Sequence, residues 1–299
     1  MNNDHRGSRH YRLTDLPIGL YEKALPEMDW PEILAQARNL GFEFVEMSLD
    51  ESDHRLARLE WTREQRRRFV DHVHASGIRV PSICLSGTRR YPPGSSDPEL
   101  REEGRRIFRK TVDLASDIGV RVVQVMGYDV YDPEPSTPES KERFIQALAE
   151  AVAYAAGRGV MLAVEVMDTK FMSSISRVLY CLKRIQSPWM AIYPDLGNLS
   201  AWNDNASEEL ELGLRLGLVA AIHLKDTYPV TADSPGQFRD VPFGQGCVDF
   251  IRLFRILRQH RYSGQFLLEM WNRTGPGEIA AVAEAREWLQ ERMRQIDAE

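Results

Sequence analysis

The sequence predicts a closed (β/α)8 barrel, and three observations carry that prediction. Eight short apolar runs recur along the 299 residues, helical patterns lie between them, and polar side chains collect where the runs end. Runs so continuous in apolar, β-branched character read as parallel strands covered on both faces. Strand then helix, eight times over in a chain of this length, fits one closed barrel. A doubly wound open sheet is the alternative, but the Gly-x-Gly-x-x-Gly turn expected after its first strand is missing, since Leu20 leads into Tyr21-Glu22-Lys23.

The runs occupy residues 17–20, 41–47, 77–85, 119–126, 159–166, 189–193, 217–224 and 264–270. Six of them open on a glycine that directly follows a helical pattern, which suits a left-handed helix cap feeding the next strand. Trp30, Ile33, Leu34, Ala37 and Leu40 repeat at helical spacing, as do Phe250, Leu253, Phe254 and Leu257 and, more loosely, Phe144, Leu148, Ala151 and Ala155. Asp29-Trp30-Pro31-Glu32 and Thr137-Pro138-Glu139 place a capping residue and an early proline at helix entries. Residues 1–16 read as a polar N-terminal tail and 17–299 as one catalytic barrel domain. Residues 87–98 and 225–247 are long loops after strands, on the face where a barrel keeps its active site.

Composition narrows the class. With 43% hydrophobic and 27% charged residues the chain can bury a core without disulfide or structural metal. Cys84, Cys181 and Cys247 are odd in number, far apart and set in apolar runs, so a reducing cytoplasm is expected. No run of about 18 apolar residues occurs, which leaves no membrane partner. The net charge of −6, with arginines spread over the whole chain, gives nucleic-acid binding no support.

Chemistry enters at the strand ends. An isolated buried carboxylate costs several kcal/mol or takes up a proton. Yet Glu165 follows Leu162-Ala163-Val164, Asp195 follows Ala191-Ile192-Tyr193-Pro194, His223 follows Ala220-Ala221-Ile222, and Glu269 follows Phe266-Leu267-Leu268. Those are the fifth to eighth strands, whose C-terminal ends line one mouth. Three carboxylates and an imidazole gathered there repel one another unless a cation sits among them, and this mixed O and N set suits one divalent metal ion, Mn²⁺ or Zn²⁺. A backbone amide or an arginine satisfies any one of the four equally well; their matching positions on successive strands favour the shared ion.

Other rim groups are candidates for substrate. Glu46 ends the second strand and is placed to meet a substrate hydroxyl. Asn198 follows Asp195-Leu196-Gly197, and Lys225, two residues past His223, is placed to hold an anion or pair with Asp226. Ser86 and Arg89, in Ser86-Gly87-Thr88-Arg89-Arg90, and the amides of Gly244-Gln245-Gly246 are candidate phosphate contacts.

Longer stretches resemble a known family. Leu20-Tyr21-Glu22-Lys23-Ala24-Leu25-Pro26, Phe44-Val45-Glu46-Met47-Ser48 and Arg79-Val80-Pro81-Ser82 are similar to L-xylulose 5-phosphate 3-epimerases, also called L-ribulose 5-phosphate 3-epimerases. So are Gly127-Tyr128-Asp129-Val130-Tyr131, the stretch 193–202 around Asp195, His223-Leu224-Lys225-Asp226-Thr227, Val241-Pro242-Phe243-Gly244 and Leu268-Glu269-Met270-Trp271. The resemblance runs over about 17–295 and implies a xylose-isomerase-like barrel, a homodimer, and a metal site of Glu165, Asp195, His223 and Glu269. Free-sugar ketose 3-epimerases carry a histidine and an arginine where this chain has Asn198 and Pro229, so the resemblance favours a sugar phosphate as substrate.

Inverting C3 of a ketose through an enediolate needs a base on one face and an acid on the other. Glu165 and Glu269 are the expected catalytic pair. The competing expectations are aldose–ketose isomerisation of a sugar phosphate and a phosphodiesterase of apurinic-endonuclease type. The latter needs several rim histidines where this chain offers His223.

Overall fold

A computed structural model describes residues 11–271 and 278–299. All eight predicted runs are strands: β1 (Ile18–Tyr21), β2 (Phe44–Leu49), β3 (Ser82–Leu85), β4 (Val122–Val125), β5 (Met161–Glu165), β6 (Met190–Tyr193), β7 (Ile222–Leu224) and β8 (Phe266–Leu268). Every pairing is parallel, in the order β6-β5-β4-β3-β2-β1-β8-β7. The remaining seam is bridged at Ile192–Val219 and Asp195–His223, where His223 N donates to Pro194 O at 2.9 Å, so the sheet comes round into a nearly closed barrel.

Helices cover the outside: α1 (Trp30–Asn39), α2 (Asp53–Leu56), α3 (Arg63–Ser76), α4 (Pro98–Asp117), α5 (Pro138–Ala156), α6 (Ile175–Ile185), α7 (Leu196–Trp202), α8 (Ala206–Arg215), α9 (Phe250–Gln259) and α10 (Glu278–Asp297). The predicted entries are real. Asp29 and Glu32 form a capping box at α1, and Thr137 and Ser140 form one at α5, each with proline in the first turn. Gly77 ends α3 at φ 72°, and Gly119 turns the chain from α4 into β4 at φ 81°.

Side chains alternate along each strand. Outward positions such as Leu20, Val45, Met47, Ile83, Val123, Val164, Ile192 and Leu268 are apolar and fully buried beneath the helices. Inward positions mix small and polar residues, Ser82, Gln124, Ala163, Ala191, Tyr193 and Ala221, with the larger Phe44 and Leu267. Gly19 is inward too, and the Phe44 ring occupies the space a Cβ would need. Mixed filling of this kind leaves ionisable groups at the top of the barrel with a polar layer beneath them.

Residues 11–16, read from the sequence as the end of a polar tail, are docked. Leu13 is fully buried, and Asp297 of α10 accepts from Leu13 N (2.8 Å), Thr14 N (3.0 Å) and Thr14 Oγ1 (2.8 Å). Among the described residues no helix is long and apolar enough to cross a membrane.

Candidate active site

Glu165, Asp195, His223 and Glu269 meet at the C-terminal mouth of the barrel. One ligand atom from each lies within 4.8 Å of all the others, and all four residues are buried. His223 Nδ1 is 3.1 Å from Glu165 Oε1, 3.5 Å from Glu269 Oε2 and 3.8 Å from Asp195 Oδ2. Local structure aims these atoms. Asp195 caps α7, its Oδ1 accepting from Asn198 N at 2.8 Å, which leaves Oδ2 for the centre. Gly197 lets α7 start close against the end of β7: a Cβ there would lie 2.8 Å from Lys225 O.

Glu165 Oε2, Asp195 Oδ2 and Glu269 Oε2 are all buried without a hydrogen bond. Buried oxygens without an aligned hydrogen bond are rare in folded proteins and call for an explanation. Three of them beside an imidazole nitrogen form an open set of hard and borderline donors that fits a divalent cation.

Among the described residues, Lys225 is the lysine that lies against this cluster. Its Nζ lies 2.8 Å from Asp195 Oδ2 and 3.0 Å from Glu269 Oε2, contacts of charge rather than aligned hydrogen bonds, and 5.4 Å from the Trp271 ring centre. The expected pairing with Asp226 is not formed. Asp226 instead accepts from the amides of Thr227, Gly244, Gly246 and Val248 at 2.8–3.3 Å. The Gly244 and Gly246 amides are thereby spent inside the protein, so the loop does not offer them to phosphate as the sequence suggested.

Electrostatics follow from these distances. Burial raises the pKa of Glu165 and lifts that of Asp195 well above the ordinary range, Lys225 opposing the latter and Glu269 adding to it. Burial acts the same way on Glu269, but Lys225 and His223 outweigh it and hold that carboxyl well below its usual value. Burial lowers the His223 pKa, yet the charge of Glu269 and the contacts with Glu165 and Glu46 leave it well raised.

The remaining candidates divide. Asn198 is buried beside the cluster, its Nδ2 donating to Val166 O at 2.9 Å and its Oδ1 unpartnered. Ser86 and Arg89 sit at the mouth of β3. Ser86 Oγ and Arg89 Nε are buried without partners, and the guanidinium lies 5.3 Å from the Tyr128 ring centre and 5.8 Å from that of Tyr131. Tyr128 in turn donates to Asp168, and neither residue was singled out from the sequence, although both come just after strands at the active face. Glu46 departs from expectation. It is fully buried behind His223, with Oε1 3.2 Å from Nε2 of that ring, and does not reach the rim. A cavity of about 390 Å³ opens beside Lys225 and Glu269, walled by Val241, Phe243, Trp271 and Trp288.

Fold and site together define an acid- and histidine-lined (β/α)8 barrel. The family model described as "Xylose isomerase-like TIM barrel" matches residues 34–292. Solved structures agree on the fold: a xylose isomerase domain protein from Planctomyces limnophilus superposes with a TM-score of 0.73 at 22% identity, covering 94% of this chain and 98% of that one. A structure titled L-ribulose 3-epimerase gives 0.69 at 19%, covering 94% and 95%. Closer relatives narrow the class. The putative L-ribulose-5-phosphate 3-epimerase SgbU of Escherichia coli K12 is 49% identical over 279 residues, 93% of this chain and 96% of that protein. The L-ribulose-5-phosphate 3-epimerase UlaE of Escherichia coli O157:H7 is 48% identical, covering 93% and 95%. The chain belongs to the L-ribulose-5-phosphate 3-epimerase family within the xylose isomerase-like TIM barrels.

Proposed function

We propose that this chain epimerises C3 of a ketopentose 5-phosphate, interconverting L-xylulose 5-phosphate and L-ribulose 5-phosphate. Glu165, Asp195, His223 and Glu269 are the residues that would hold a divalent ion, Mn²⁺ or Zn²⁺. The observation that carries the reading is the convergence of these four groups, from four successive strands, with three buried carboxylate oxygens that make no aligned hydrogen bond. The names of the close relatives support the substrate. When bound, the ion supplies Lewis-acid stabilisation of the negative charge that develops on the substrate oxygens.

The protein's own groups do the rest. Glu165 ends β5 and Glu269 follows β8, so the two carboxylates approach a bound ketose from different sides. One takes the C3 proton from its face and the other delivers a proton to the opposite face. Asn198 offers its free Oδ1 to a substrate hydroxyl, and Lys225 stands next to Glu269 and the cavity, placed to hold an oxygen of the sugar. Ser86 and Arg89, each with an unspent donor, are assigned to the phosphate, for which guanidinium geometry is well suited.

Replacing one carboxylate at a time tests the two-base assignment. Glu165→Gln and Glu269→Gln each lose turnover by about 10²–10⁴-fold, the range for removing a general acid or base. In deuterated water at least one of them loses exchange of the C3 proton as well. Near-normal exchange and turnover in either variant, with the fold intact by circular dichroism, would remove that residue from its role.

A further inference from the structure

Glu46 touches nothing outside the barrel, yet every part of it is in use. Its Oε1 lies 3.2 Å from His223 Nε2, and its Oε2 accepts from Ser82 Oγ at 2.6 Å and Tyr193 OH at 3.0 Å. Side chains from β3, β6 and β7 thus converge on one carboxylate of β2. Tyr193 also meets the imidazole itself, edge-on, with ring centres 4.6 Å apart and planes at 65°. The histidine ring is therefore gripped from behind and from one side.

Its two nitrogens are not equivalent. Nδ1 faces the three acids of the cluster at 3.1–3.8 Å, whereas Nε2 faces Glu46. A neutral imidazole carries one N–H and one lone pair, and the partner of one nitrogen decides which it is. A carboxylate only accepts, so a ring nitrogen bound to one carries a hydrogen. Both nitrogens face carboxylates here, and when a cation takes the Nδ1 side the hydrogen that Glu46 holds stays on Nε2 and the lone pair falls to Nδ1. With Oε2 held by two hydroxyl donors, the carboxylate cannot swing away from the ring. A buried acid with no substrate to touch costs free energy that an apolar residue in its place would not.

We propose that Glu46, braced by Ser82 and Tyr193, is a positioning residue that fixes the orientation and tautomer of His223 so that Nδ1 presents its lone pair to a bound divalent ion. This rests on the metal reading of the cluster given above. Partners of this kind are worth about 10–100-fold in metal affinity where they have been removed.

The test uses the full-length protein stripped of metal and titrated with Mn²⁺, followed by calorimetry. Glu46→Gln keeps the shape but not the chemistry. Turned one way, its NH2 faces Nε2 and demands the other tautomer; turned the other way, it faces two hydroxyls that were donors. The Mn²⁺ dissociation constant is expected to rise about 10–100-fold in Glu46→Gln, and to rise less in Tyr193→Phe, which removes one brace but leaves the acid. A role in folding alone would not choose between ring nitrogens, so the second readout is the 15N spectrum of the Zn²⁺-loaded wild-type protein. It is expected to show His223 protonated at Nε2. A folded Glu46→Gln that binds Mn²⁺ as tightly as wild type, or an Nδ1-protonated His223 in the Zn²⁺-loaded protein, would overturn the assignment. If Glu46→Gln does not fold, Tyr193→Phe and the wild-type spectrum decide it. Failure of the wild-type protein to bind either ion is a separate result, and it would overturn the proposed metal site instead.

Discussion

Asp50, just past β2 at the rim of the barrel, offers a stability prediction whose size and pH dependence both come from its surroundings. Its Oδ2 lies 2.7 Å from Lys23 Nζ and 3.4 Å from Arg55 Nη1, and its Oδ1 accepts from Ser52 N at 3.0 Å and Ser52 Oγ at 2.5 Å. Burial pushes the pKa up, but the bonds from Lys23 and Ser52 outweigh it and bring it from 3.8 down to about 2. At about 1.4 kcal/mol per unit, that difference corresponds to roughly 2 kcal/mol of folding free energy at neutral pH. Because the folded value is the depressed one, the contribution is complete well above 3.8 and is lost as pH falls through 2. About half of it remains at pH 3. Asp50→Asn is therefore destabilised by about 2 kcal/mol in urea unfolding at pH 7, and by about half as much at pH 3. A gap that is absent at pH 7, or that widens on acidification, would show that the Lys23–Asp50–Ser52 contacts do not hold in solution.

Three further predictions concern the rim and the phosphate. Arg58 makes paired 2.6 Å contacts with the buried Glu22, whose Oε2 also accepts from Ser48 N at 2.7 Å; Arg58→Met leaves that carboxylate only the longer Arg55 contact (3.4 Å) and the amide, and costs about 2–3 kcal/mol by chemical denaturation. Adding Glu22→Gln to that variant recovers a large part of the loss, and a strictly additive pair would refute the coupling. Arg89→Met raises KM for L-xylulose 5-phosphate by about 10–100-fold, the worth of a charge-assisted contact. Its effect on phosphate-free L-xylulose is small, and equal effects on both substrates would place the phosphate elsewhere.

Much of the barrel was legible because most strands are short apolar runs with a glycine after the preceding helix on one side and a polar turn on the other. The four acid and imidazole positions were legible for a related reason. A charge at the end of an apolar run has few neighbours in sequence that can satisfy it, so it points to partners on adjacent strands. Depth was not legible. Glu46 reads as the end of the second strand just as Glu165 ends the fifth, but β2 runs on to Leu49, so Glu46 lies inside the strand with its carboxylate against Nε2 of His223. Its brace Tyr193 could have been noticed two residues before Asp195, on the same inward face of β6, but nothing in the sequence gives the 3.0 Å contact across the barrel. Loop closure was equally hidden. The glycine amides at 244 and 246 looked free for phosphate until the fold brought Asp226 beneath them.

The central claim is that the cluster of Glu165, Asp195, His223 and Glu269 binds a divalent ion and that C3 epimerisation of a ketopentose 5-phosphate depends on it. The direct measurement is NMR observation of L-xylulose 5-phosphate with enzyme stripped of metal, then supplied separately with Mn²⁺, Zn²⁺ and Mg²⁺. The account predicts no L-ribulose 5-phosphate from the stripped enzyme and its appearance on adding Mn²⁺ or Zn²⁺. Full activity without any divalent ion, or none with all three, would contradict it.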